Sequence, residues 1–161
     1  MGIINLTGDS FYRGSRISDL KTAEEKIEYM FEQGADIIDI GAMSSQHGSK
    51  LISAVEEWQK LLPVLQLIAK KFSNRIFSLD TIHSVTAKNA VNDYGIDIIN
   101  DISSGNLDSK MFDTIAELNV PYIIMHMRGK PENMQSLTQY ESLVDEILYY
   151  FSERVNKLNS L

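Results

Sequence analysis

The chain has 161 residues, a formal net charge of -7 and 43% hydrophobic residues, enough for one globular domain. The acidic balance argues against nucleic acid or an anionic membrane as a main partner, since both need a basic face. No cysteine is present, which excludes disulfide and thiolate chemistry and makes a reducing cytoplasm the expected setting. No apolar run approaches the ~20 residues of a membrane helix.

Residues Ile3–Leu6 read as a first strand, closing in Asn5, Thr7, Gly8 and Asp9. The opening MGIINLTGDS lacks the basic and long apolar regions of a signal peptide. After a polar loop, Lys21–Gln33 carries Ala23, Ile27, Met30 and Phe31 at helical spacing, with Gly34 as the stop. The stretch Ala35–Lys50, ADIIDIGAMSSQHGSK, begins as an apolar run (Ile37, Ile38, Ile40) broken by Asp39 and ends in small polar residues. That is the form of a buried parallel strand followed directly by a functional loop. Ser53 with Glu56 has capping-box spacing and starts a helix through Trp58, Leu62, Leu65 and Ile68, with a bend expected at Pro63. A third strand, Arg75–Leu79, ends in Asp80 and Thr81, and Ser84 is placed to cap a helix closed by Gly95. A fourth strand, Ile96–Ile99, ends in Asn100, Asp101 and Ile102, and a helix over Ser109–Leu118 follows. The fifth strand, Pro121–Met125, ends in His126, Met127 and Arg128. A long helix from Tyr140 to Leu158 then carries an apolar stripe of Tyr140, Leu143, Val144, Ile147, Leu148, Phe151, Val155 and Leu158.

Strand and helix thus alternate five times, which predicts a parallel α/β sheet with helices outside it. A doubly wound open sheet and a (β/α) barrel both satisfy that order, and both place their site at the C-terminal ends of the strands. Those ends here carry Asn5, Asp39, Asp80, Asn100, Asp101 and His126. Asp80 and Asn100 hold corresponding positions on neighbouring strands. A carboxylate that accepts two N–H bonds, beside an amide that donates and accepts, suits a planar amino-pyrimidinone edge. The competing role for both is capping the helices that follow. The Asn5 amide oxygen can coordinate Mg²⁺ or simply form a turn. Met125 can pack in the core or floor a flat aromatic ligand. His47, His83 and His126 lack zinc-site spacing, and no P-loop or G-x-G-x-x-G is present.

The segments MGIINLTGDSF, ADIIDIGAMSSQHGS, FSLDT, IINDIS and above all YIIMHMRGKPENMQ resemble dihydropteroate synthase, in that family's order and spacing. The resemblance covers essentially the whole chain. It implies a (β/α)8 barrel of the TIM type, of which residues 1–161 form the N-terminal portion of a pterin-binding domain with about five of eight strand–helix units. It also implies a transferase of folate biosynthesis that joins 6-hydroxymethyl-7,8-dihydropterin diphosphate to p-aminobenzoate. Carried over by motif, Asn5 meets Mg²⁺, Asp80 and Asn100 hold the pterin edge, and Ile102 and Met125 line its pocket. Asp9, Ser45 and Gln46 are the loop candidates for the reaction. The loops depart from the family's pattern at Gly8, Arg13, Met43, Gln46 and His47, and neutral Gln46 stands where the family has an arginine. Five strands leave two open edges, so a homodimer or other self-association is expected. Alternative readings are a non-catalytic pterin-binding half-barrel that works with a second chain, and a pterin-dependent methyltransferase domain.

Overall fold

A computed structural model of the chain describes residues 1–6, 16–43 and 51–161, with the backbone alone for 16–19. The elements run β1 (Gly2–Asn5), α1 (Arg16–Glu32), β2 (Ile37–Gly41), α2 (Ala54–Lys71), β3 (Ile76–Asp80) and α3 (Ser84–Tyr94). They continue with β4 (Ile98–Asp101), α4 (Met111–Leu118), β5 (Tyr122–Ile124), a 3-10 turn at Met134–Ser136 and α5 (Leu143–Asn159). All strand pairs are parallel and the spatial order is β1-β2-β3-β4-β5. That order decides between the two architectures left open by the alternation. A doubly wound sheet reverses direction at a switch point, whereas a barrel wall adds each strand beside the last.

Each strand has two faces because side chains alternate. One face carries Ile4, Ile38, Ile40, Phe77, Leu79 and Ile99, all buried. They pack against Ala23 and Ile27 of α1, Leu61, Val64, Leu65 and Ile68 of α2, Ala87 and Ala90 of α3, and Met111 and Ile115 of α4. Burying one such aliphatic side chain contributes about 1.5–3 kcal/mol, so this helix-covered face supplies most of the cohesion. The opposite face is the inner one. It leaves Ile76 and Ile3 exposed at the bottom and middle of the sheet and Ile123 exposed at the level of Asn100, while Asn5, Asp80 and Asn100 make the rest of that upper level polar.

Local signals explain the start of α2 and the end of α3. Ser53 Oγ accepts the Glu56 N–H at 3.2 Å, one half of the expected capping box. The other half is replaced, because Glu56 Oε1 pairs with Lys60 at 2.9 Å. Pro63 sits inside α2, which runs on to Lys71. Gly95 closes α3 with φ 69°, a left-handed geometry that glycine adopts without strain.

Several expected boundaries move. The fourth strand begins at Ile98 rather than Ile96, because Ile96 N–H turns back to the Ala90 carbonyl and Asp97 N–H bonds Phe77 O. Ser84 is the first helical residue of α3 and not its cap. His83 occupies the cap position, and the Ser84 N–H is taken by Asp108 Oδ2 at 2.8 Å. The last helix starts at Leu143, not Tyr140, whose ring instead lies 4.5 Å from the Arg128 guanidinium. Its stripe is largely open: Leu143, Val144, Leu148 and Val155 are exposed, while Ile147, Phe151 and Leu158 are half-buried.

Candidate functional site at the strand C-termini

The sheet register brings the polar strand ends to one level. Asn5 pairs with Gly41, Gly41 with Asp80, Asp80 with Asn100, and Asn100 with Ile123. These residues therefore form a single row across the inner face. Two residues earlier on β2, Asp39 points to the same side, and the Asn100 amide donates to its Oδ2 at 3.2 Å. Asp39 is 4% exposed and its Oδ1 has no hydrogen-bond partner. An orphaned buried carboxylate oxygen is costly, so a donor from outside the protein is favoured there.

Gly41 makes the row possible. A methyl group at its Cα would stand 3.2 Å from both Cβ and Oδ2 of Asp80 and 3.3 Å from Oδ1 of Asn5. The absent side chain lets the Asn5 and Asp80 oxygens draw together over β2.

Burial pushes the Asp80 carboxyl up to about 7, assisted by the negative charge of Asp39, Glu57 and Asp101. Neither Asp80 nor Asn100 caps a helix: the following caps fall at His83 and Lys110, so the capping role is excluded for both. Ile102 and Met125 lie just beyond β4 and β5, each half-buried, two residues past inner-face positions of their strands. The Ser104 hydroxyl donates to the Met125 carbonyl at 2.7 Å and ties these two loops together. Asn5 is exposed at the end of β1 and offers one amide oxygen. Asp9, Ser45 and Gln46, with His47, lie outside the described residues.

Among the described residues, no group of three or more His, Asp or Glu side chains is arranged to hold a metal. The Asn5 amide oxygen is a hard donor of the kind a Mg²⁺ ion accepts. His83 bonds the Ile52 carbonyl through Nε2 at 2.9 Å, and His126 stacks edge-on to Tyr150.

Three carboxylates that matter to the row received no role from sequence reasoning. Asp39 had a readable signal, a charge inside an apolar strand two residues before a glycine. Glu57 and Asp101, both fully buried, had none that set them apart from other acidic residues near strand and helix ends. Asp101 points to the helix side and accepts Ser103 N–H at 2.7 Å, Gly105 N–H at 2.8 Å and the Tyr122 hydroxyl at 2.6 Å. Burial and the Asp101 charge push the Tyr122 phenol up, so it stays a neutral donor.

The family model for pterin binding enzymes matches residues 1–161. The mitochondrial folate synthesis bifunctional protein of Pisum sativum is 42% identical over 161 residues, which is 98% of this chain and 31% of that protein. The structure of Yersinia pestis dihydropteroate synthase with a sulfonamide drug complex superposes with a TM-score of 0.87 at 31% identity, covering 99% of this chain and 57% of that one. The Clostridium difficile dihydropteroate synthase, in the presence of pteroic acid, does so with a TM-score of 0.86 at 28% identity and the same coverage. The chain thus spans about a third of the pea protein and a little over half of each of these structures.

Proposed function

The chain belongs to the pterin binding enzyme family, and on that premise we propose that it holds the pterin of 6-hydroxymethyl-7,8-dihydropterin diphosphate for condensation with p-aminobenzoate, giving dihydropteroate and diphosphate. The observation that carries this reading is the row of Asn5, Asp80 and Asn100 at one level of the inner face. The ionised Asp80 carboxylate accepts two adjacent N–H groups of the pterin edge. The Asn100 amide offers both a donor and an acceptor beside it, and Asp39 Oδ1 is free to accept one more N–H. Ile102 and Met125 flank the flat ring.

Asn5 would stand at the diphosphate end and offer one oxygen to a Mg²⁺ ion, which would supply charge neutralisation for the departing diphosphate. Asp9 follows β1 in the sequence and Ser45 and Gln46 follow β2, and the resemblance gives these residues to the reaction. The pterin C–O bond breaks as the arylamine nitrogen forms its bond to the methylene, and the amine proton leaves to solvent. No covalent enzyme nucleophile is needed, so the residues act by positioning and by electrostatics. The exposed Ile3, Ile76 and Ile123, with the open edges of β1 and β5, suit association with a second copy when the chain is alone. A sharp monomer peak on sizing argues against that association.

Calorimetric titration with the pterin diphosphate and Mg²⁺, followed by a product assay with p-aminobenzoate, tests the reading. Binding with turnover supports the synthase. Binding without turnover leaves a pterin-binding module that works with a second chain. No binding refutes both.

A further inference from the structure

Behind the row, on the helix side of the sheet, lies a buried acid that the proposed reaction does not use. Glu57, in the first turn of α2, is fully buried. Its Oε2 accepts the Thr81 hydroxyl at 2.7 Å, while its Oε1 has no partner. Thr81 is itself fully buried and follows Asp80 directly. Its N–H donates to the Asn100 carbonyl at 3.0 Å and extends the β3–β4 ladder by one bond. Its hydroxyl oxygen also accepts the His83 N–H at 3.1 Å, and the His83 ring reaches the Ile52 carbonyl just before α2. Thr81 is therefore the point where the ends of β3 and β4 are fastened to each other and, through Glu57, to α2.

We propose that Glu57, acting through the Thr81 hydroxyl, is a positioning residue that fixes the spacing of Asp80 and Asn100 against the pterin edge. The inference rests on the pterin-binding reading above. The geometry supports it in three ways. Thr81 is covalently next to one ligand-binding residue and hydrogen-bonded to the backbone of the other. Its hydroxyl uses its one proton on Glu57, so only a side-chain acceptor at that place holds it. A fully buried carboxylate with an orphaned oxygen is a costly way to build a helix start, and an apolar residue of the same size would stabilise the fold better. Burial pushes the Glu57 carboxyl up.

The test measures the dissociation constant of the free pterin, without diphosphate, for the folded full chain and its variants, with circular dichroism confirming the fold of each. Glu57→Leu and Thr81→Val are expected to weaken pterin binding about tenfold or more, because sub-ångström misplacement of paired groups is costly in affinity. The double variant is expected to lose no more than either single one, since both cut the same bond. Glu57→Gln keeps an acceptor and Thr81→Ser keeps the hydroxyl, so both are expected to bind within about twofold of the unaltered chain. If the unaltered chain binds pterin and Glu57→Leu and Thr81→Val bind it equally well, whatever their melting points, Glu57 is only structural and the inference fails. If the unaltered chain does not bind pterin, the proposed function falls, and this role falls with it. Should Glu57→Leu not fold, Thr81→Val with its Thr81→Ser rescue carries the test.

Discussion

Replacing Asp80 by asparagine sets the cost of the site against its use. The carboxyl is pushed from 3.8 to about 7 by burial and by its acidic neighbours. Between those values the native chain holds a proton that the unfolded chain has released. Stability therefore falls as pH rises through that window, and the full penalty applies above about 7. A gap of roughly three units corresponds to about 4 kcal/mol, an upper bound because ionised Asp80 can draw in water. The substituted amide carries no charge and avoids the penalty. Urea unfolding followed by circular dichroism at pH 4, 5.5 and 8 is the assay, with an unchanged m-value as the control. The variant is expected to match the unaltered chain at pH 4 and to exceed it by up to about 4 kcal/mol at pH 8, while losing its affinity for pterin. A stability difference that does not change with pH, or a variant less stable at pH 8, would refute the reasoning.

Gly41→Ala places a methyl 3.2 Å from Asp80 and 3.3 Å from Asn5, so it is expected to cost about 1–3 kcal/mol in urea unfolding and to weaken pterin binding about tenfold. Pterin binding by the unaltered chain should strengthen as pH rises from 5 towards 8 if Asp80 has the proposed role of binding as the carboxylate, and a flat calorimetric profile contradicts that role. Ser53→Ala removes the acceptor for the Glu56 N–H and is expected to lower stability by about 1 kcal/mol without touching the pterin constant. Leu79→Ala, at a fully buried position on the helix-facing side, should cost about 2–5 kcal/mol in the same unfolding assay.

The scaffold was legible because its signals are local and repeated. Five apolar runs, each stopped by polar residues, marked the five strands, and Gly95 and Ser53 marked helix ends that the structure keeps. Boundaries slipped where a tertiary bond overruled a local preference. Ser84 was a plausible cap, yet Asp108 reaches its N–H from 24 residues away. The stripe of α5 was legible, but periodicity records only that one side is apolar and not what covers it. Asp80 and Asn100 were legible as a pair because parallel strands of equal register place equivalent ends together. Glu57 was not, because its contact with Thr81 joins a helix to a strand across 24 residues and leaves no periodic trace.

Burial alone does not separate the carboxylates of this region, since Asp39, Glu57 and Asp101 are all nearly sealed from water. Hydrogen bonding and facing do. Asp101 faces the helices and collects two backbone N–H groups and a phenol, so its charge is spent on shaping the turn after β4. Glu57 faces the same side, where one oxygen holds the Thr81 hydroxyl and the other makes no hydrogen bond. Asp39 and Asp80 face the open side, where Asp39 meets one amide and keeps an oxygen unpartnered, and where the elevated Asp80 carboxyl has no cation among the described residues to settle it. An electrostatic cost left unrelieved by the protein is lowered by any ligand that brings donors to that face. The fold tolerates the cost because the opposite side of the same five strands is covered by the aliphatic core.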